Sequence, residues 1–217
     1  MAPTALAVRL SASNGGQVVV NWQHPGSIDG FQLMRRVGTG AFNLAQGAAD
    51  PLLREFVDSP QAAFVDVTYR MAAWNLAGLS EMSEEVVIKP RAVFFFAAST
   101  ALMALQTVNK GVPVTIARPA VSLGASCQAS STSVYLVRES ASSIAAVVAH
   151  CTHQCLRPPS FHWVEGEMLY RCAHGSEFDV HGGLLQGPAS RDVATLQTEL
   201  FADRVELLPP APQVPAG

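Results

Sequence analysis

The sequence predicts an all-β protein made of two successive domains. Three observations carry this expectation. Apolar residues alternate with period two in short runs, as in Val18, Val20 and Trp22, which is the signature of a strand with one buried face. Turn signals recur between these runs, at Asn14-Gly15-Gly16, His24-Pro25-Gly26-Ser27 and Gly38-Thr39-Gly40. The chain is 49% hydrophobic and only 14% charged over 217 residues, enough to bury a core and unlike a disordered chain.

The first half, residues 1–89, reads as a sandwich. After the strand ending in Trp22, the alternation continues through Phe31, Leu33 and Val37. It returns at Tyr69, Met71 and Ala73 and runs out in the turn residues Asn75, Ala77, Gly78 and Ser80. Short strands with frequent turns favour two packed antiparallel sheets over a barrel of long strands.

Asn21-Trp22 with its Pro turn, Gly30-Phe31-Gln32-Leu33 and the stretch Val67 to Glu81 together resemble a fibronectin type III domain. The resemblance covers about 85 residues. It implies that Trp22 fills the core and that Tyr69 makes a corner hydrogen bond to the backbone. It also implies a spacing or docking role without chemistry of its own, since that fold hosts such functions.

Pro90 closes this half, and residues 90–112 read as an apolar connecting segment. Ala92 to Leu105 carries no charged residue. A bilayer-crossing helix needs about twenty apolar residues, so this stretch is expected to be a buried helix or strand pair, with a membrane contact as the alternative.

Residues 113–208 form the second predicted domain. Ser133–Arg138 and Ile144–Ala149 are strand-length apolar runs, Leu169–Arg171 is a further strand, and Val205–Leu208 is the last. Residues 209–217 are a Pro-rich tail expected to be extended.

Chemistry concentrates in two boxes of this domain, Cys151-Thr152-His153-Gln154-Cys155 and Cys172-Ala173-His174-Gly175-Ser176. Two Cys and two His make a ligand set suited to iron–sulfur or zinc. Three of the four cysteines lie within 151–172, a clustering typical of ligands and not of a spread disulfide framework.

The boxes, the tail Gly175-Ser176-Glu177-Phe178-Asp179 and Gly187-Pro188-Ala189 resemble the cluster-binding part of a Rieske [2Fe–2S] domain, each box one residue shorter than that family's pattern. The resemblance implies that Cys151 and Cys172 bind one iron and His153 and His174 the other. It assigns Ser176 a hydrogen bond to a cluster sulfide. It places Phe178 where high-potential members carry Tyr, which implies an intermediate potential. Gly187-Pro188-Ala189 would shield the cluster from water.

Three arrangements stay open on the residues alone. The four ligands hold a [2Fe–2S] cluster, leaving Cys155 a spare thiol. They hold a single zinc or iron ion. Or there is no metal, and Cys172 pairs with Cys155 or Cys151 in a disulfide or stays reduced. Cys127, far upstream, is expected to be an idle thiol. His150, His162 and His181 are expected to be surface or hydrogen-bonding residues in loops, and Trp163 to pack under the segment between the boxes.

The function expected is one-electron transfer, as a subunit or carrier with a redox protein partner or multi-subunit complex. The alternative is a structural or docking subunit that has lost its cluster. No phosphate-binding Gly loop, nucleophile elbow or HExxH motif competes. The net charge of −3 gives no reason to expect nucleic acid. The Rieske resemblance implies a bacterial periplasmic or membrane-associated setting.

Overall fold

The computed structural model describes residues 3–24, 26–48, 50–116 and 131–208. The chain divides into two compact units, Met1–Arg91 and Ala92–Gly217. Both are built of antiparallel sheets.

The first unit contains β1 (Thr4–Ser11), β2 (Asn14–Gln23), β3 (Gly30–Val37), β4 (Asn43–Ala48), β5 (Glu55–Asp58), β6 (Val67–Asn75), β7 (Gly78–Leu79) and β8 (Val86–Ile88). One sheet has the order β1-β2-β5; the other has β4-β3-β6-β7, with β8 also paired to β6. This is the two-sheet antiparallel plan of a fibronectin type III-like sandwich.

The inward residues of β2, β3 and β6 supply the core: Val18, Val20, Trp22, Phe31, Leu33, Val67, Tyr69 and Met71 are all buried. Trp22 meets Phe31 edge to face, with ring centroids 5.1 Å apart. The exchange between β3 and β6 sets Leu33 opposite Met71, so the two alternating patterns face one core.

Tyr69 corrects one expectation. Its hydroxyl donates to the Asp58 carboxylate at 2.7 Å and not to the backbone. Asp58 is itself buried, and Arg35 donates to both its oxygens at 2.7 and 2.8 Å. A buried carboxylate needs charge-assisted donors, and Tyr69 is one of those it recruits.

The second unit contains β9 (Ala92–Phe95), β10 (Gly111–Ile116), β11 (Thr132–Arg138), β12 (Ile144–Val148), β13 (Phe161–Val164), β14 (Leu169–Cys172), β15 (Glu177–Asp179), β16 (Leu184–Gln186), β17 (Thr195–Leu196), β18 (Thr198–Leu200) and β19 (Arg204–Leu207). Its sheets run β10-β11-β12-β17, β13-β14-β15-β16 and β18-β19-β9. β12 is buried along its whole length between β11 and β17, which explains its continuous apolar run.

The stretch read as a connector is part of this unit. β9 pairs with β19 and β10 with β11. Between them the chain makes short helical turns over Phe96–Ala98, Thr100–Met103 and Ala104–Gln106, with Ser99 Oγ capping the middle one by accepting from Leu102 N–H. Among the described residues no helix is long and apolar enough to cross a membrane.

An aromatic core supports the β13–β16 sheet. Phe161 stacks on Tyr170 (5.5 Å), Trp163 packs on Tyr170 (4.9 Å), and Phe178 tilts against Phe161 (5.9 Å). Phe161, Tyr170 and Phe178 are fully buried, each worth roughly 2–3 kcal/mol of apolar burial. Cys151 and Cys172 belong to the same buried cluster.

Candidate metal centre

The first box is a loop closed on itself. Beyond β12, Ala149 N–H still reaches Ser133 O, so the chain hugs the sheet until His150. Cys151 N–H then donates to Leu156 O at 2.8 Å, and Cys155 N–H donates back to Cys151 O at 2.7 Å. The closure sinks Cys151 into the core and leaves His153 and Gln154 exposed. Thr152 Oγ1 donates to Arg191 O at 2.7 Å, joining this loop to the segment after Pro188.

The second box is the tight turn from β14 to β15. Cys172 N–H donates to Ser176 O and Gly175 N–H to Cys172 O, at 2.9 and 2.8 Å. Gly175 has φ +84°, with open space where a Cβ would stand, so the backbone angle and not crowding requires glycine. Ala173 N–H donates to Ser160 O, which ties the second box to the segment that follows the first. Ala189 N–H donates to the buried Ser176 Oγ at 2.9 Å, which adds the Gly187-Pro188-Ala189 segment as a third wall.

These clasps gather the four predicted ligands at one tip, as two pairs. Cys151 and Cys172 are free thiols, both buried in the same core cluster. Burial, and then the neighbouring Cys151 thiol, push the Cys172 thiol up to about 11. His153 and His174 are exposed, edge to face with ring centroids 5.8 Å apart. Cys172 Sγ lies 3.9 Å from His174 Nδ1. Among the described residues, no three His, Cys, Asp or Glu side chains are grouped for a single metal ion.

Among the neighbouring residues, Cys155 and His162 differ from expectation. Cys155 is disulfide-bonded, so it is neither a spare thiol nor the partner of Cys172, which is free. Its φ of +56° ends the loop. Cys127 lies outside the described residues. His162 is in β13, opposite Arg171, and not in a loop. His181, in an exposed turn as expected, has its Nε2 3.2 Å from Glu139. Trp163 packs on Tyr170, and its Nε1–H donates to Asn109 O at 3.1 Å.

His150 is the residue that sequence reasoning misjudged. It is 4% exposed, and its Nδ1 has no hydrogen-bond partner. Burial, with the nearby positive charges of Arg157 and Arg191, lowers its pKa to about 4. The apolar run of β12 directly before it was the available signal. Arg157 and Arg191, whose charges act on His150, lie outside both boxes.

No protein-family model matches this chain, and no curated protein matches it. Solved structures that align with parts of it include fibronectin type III domains and Rieske proteins. The fibronectin type III domain of human contactin 1 is 17% identical over 42% of this chain and 80% of its own, with a TM-score of 0.37. The plasma membrane Rieske protein PetC3 of the cyanobacterium Synechocystis is 27% identical over 44% of this chain and 98% of its own, with a TM-score of 0.33. The ferredoxin of carbazole 1,9a-dioxygenase from Nocardioides aromaticivorans is 20% identical over 36% of this chain and 76% of its own, with a TM-score of 0.32.

Proposed function

We propose one-electron transfer through a Rieske-type [2Fe–2S] cluster held by Cys151, Cys172, His153 and His174, with the chain serving as a subunit or carrier in a redox complex. The observation that carries this reading is the division of the ligands into a thiol pair and an imidazole pair at one tip. A binuclear cluster of mixed ligation needs that division, with thiolates on one iron and imidazoles on the other. A single tetrahedral zinc would instead use all four donors around one point, without that division.

The cluster, when bound, supplies a one-electron couple at a potential above that of all-Cys ferredoxins. The chain's own residues do the rest. Cys151 and Cys172 must shed their protons to become ligands, so loading is favoured by rising pH. Ser176 accepts from Ala189 N–H and keeps its own proton to donate. The surrounding aromatic core excludes water from the thiol side, while the exposed imidazoles offer the edge at which a partner approaches.

One observation favours a docking subunit without a cluster: Cys172 Sγ and His174 Nδ1 are already in contact, and a cluster would have to replace that contact. Iron and acid-labile sulfide assays on protein prepared without oxygen separate the two readings. Two irons and two sulfides per chain, both lost in Cys151→Ser and Cys172→Ser, support electron transfer. A colourless, iron-free protein supports the docking subunit.

A further inference from the structure

A cavity of about 370 Å³ lies in the second unit, and no residue of the two boxes lines it. Its walls are Phe96 and Gln106 from the helical turns, Arg138 and Ser142 from the end of β11 and the turn after it, and Leu200 and Phe201 from the end of β18 and the turn after it. Backbone bonds fix these walls. Phe96 N–H donates to Asp203 O at 2.8 Å, Asn109 N–H to Arg138 O at 2.6 Å, and Glu139 N–H to Ser143 O at 3.1 Å. Among the lining residues Arg138 alone is charged. Its guanidinium is half-buried, and Nη2 donates to Ala141 O at 2.6 Å, which holds the group against the turn. Its Nε is shielded from water without a partner, and no carboxylate pairs with Arg138 among the described residues. The carboxylates nearby in sequence are engaged elsewhere. Glu139 and Glu199 line a different cavity, where Glu139 lies 3.2 Å from His181. Asp203 and Glu206 both hold Arg204, at 2.9 and 2.8 Å.

We propose that this cavity binds a small carboxylate with a compact apolar body. Arg138 takes the carboxylate, and Phe96, Leu200 and Phe201 pack against the body. This goes beyond electron transfer and does not depend on it. A partly buried cation without a counter-charge is costly, and the cavity beside it has room for an anion. The guanidinium fork matches the two oxygens of a carboxylate, and Gln106 and Ser142 add donors at the wall. The apolar walls select against bare phosphate or sulfate, which bring nothing to bury there. The volume is near the lower end of small-molecule sites, about 300–1,000 Å³, which limits the ligand to a small body.

The test titrates benzoate, benzamide and inorganic phosphate into the full chain at constant ionic strength and follows backbone amide shifts by NMR. Benzoate is expected to bind with a Kd of about 1 mM or tighter and to move the amides of Phe96, Gln106, Ser142 and Phe201. Benzamide keeps the shape without the charge, and phosphate keeps a charge without the apolar body. Each is expected to bind roughly tenfold more weakly or worse. Arg138→Met should weaken benzoate by roughly tenfold or more, and Arg138→Lys, which keeps the charge and loses the fork, should fall between. Arg9→Met removes a cation from the first unit and is expected to leave benzoate binding unchanged. Thermal melts confirm that the variants fold.

The proposal is overturned if benzoate leaves those amides unmoved, if Arg138→Met binds benzoate like the parent, or if Arg9→Met weakens binding as much. Benzamide binding as well as benzoate would remove the role of the charge, and phosphate binding as well would remove the carboxylate class. Both comparisons are made on the parent chain, so they decide the matter even where Arg138→Met does not fold.

Discussion

Ala189 N–H donates to Ser176 Oγ at 2.9 Å, so one buried hydroxyl clasps the third loop to the second box. Because Ser176 accepts in this bond, its proton is free for an acceptor on the ligand side. Ser176→Ala is therefore expected to act twice. It leaves the Ala189 N–H unpaired and costs about 1–3 kcal/mol, read by urea unfolding of the metal-free protein. It also lowers the potential of the loaded protein by on the order of 50 mV, the one-electron equivalent of one hydrogen bond. A stability loss with an unchanged potential would confine Ser176 to its clasp.

His150 gives the second unit a pH dependence. Its folded pKa of about 4 lies below the ordinary 6.5, so the folded state resists protonation that the unfolded chain accepts. Its contribution is full above pH 6.5, declines as pH falls from there, and is lost as pH passes below about 4. The decline is on the order of 2–3 kcal/mol. Unfolding measured from pH 7 to 4 should show this loss, and His150→Phe should flatten it.

Asp58, Arg35 and Tyr69 form the polar centre of the first unit. Removing the carboxylate leaves a guanidinium and a buried phenol without their acceptor, so Asp58→Ala is expected to cost about 3–5 kcal/mol. Tyr69→Phe removes one donor while Arg35 remains, and should cost about 1–2 kcal/mol. Chemical denaturation of the two variants should preserve that order; the reverse order would move the weight of the network onto the phenol.

Gly111 lies against Trp163. A Cβ there would overlap the indole Cδ1, so Gly111→Ala must displace a ring that is also anchored by its bond to Asn109 O. The expected cost is about 1–3 kcal/mol. Trp163 fluorescence should shift in the same variant, and a normal spectrum with normal stability would show that the ring yields freely.

Much of this fold was legible because its strands announce themselves. Val18, Val20 and Trp22 alternate, while Ile144–Val148 is continuously apolar, and the two patterns mark a half-buried and a fully buried strand. Pairings between distant segments were not legible. Ala92–Phe95 looked like a connector because its partner, β19, lies at the far end of the chain. Tyr69 was assigned a backbone acceptor by the family resemblance, and nothing local in the sequence marks Asp58 as buried.

At the site, residue types and spacing pointed to Cys151, His153, Cys172 and His174, and the resemblance implied their division into a Cys pair and a His pair; the backbone that sets up this division was not legible. That division follows from Cys151 closing its loop onto Leu156 and from Cys172 folding back onto Ser176. The disulfide at Cys155 and the burial of His150 depend on where the backbone turns, and spacing alone does not carry that information.

A potentiometric titration followed by low-temperature EPR tests the central claim most directly. With two irons per chain, the account predicts a single one-electron couple between about −150 and +300 mV, with a potential that falls as pH rises through the imidazole pKa. A couple near about −400 mV that does not move with pH would contradict imidazole ligation. Protein prepared without oxygen that holds no iron and gives no signal would contradict the cluster itself.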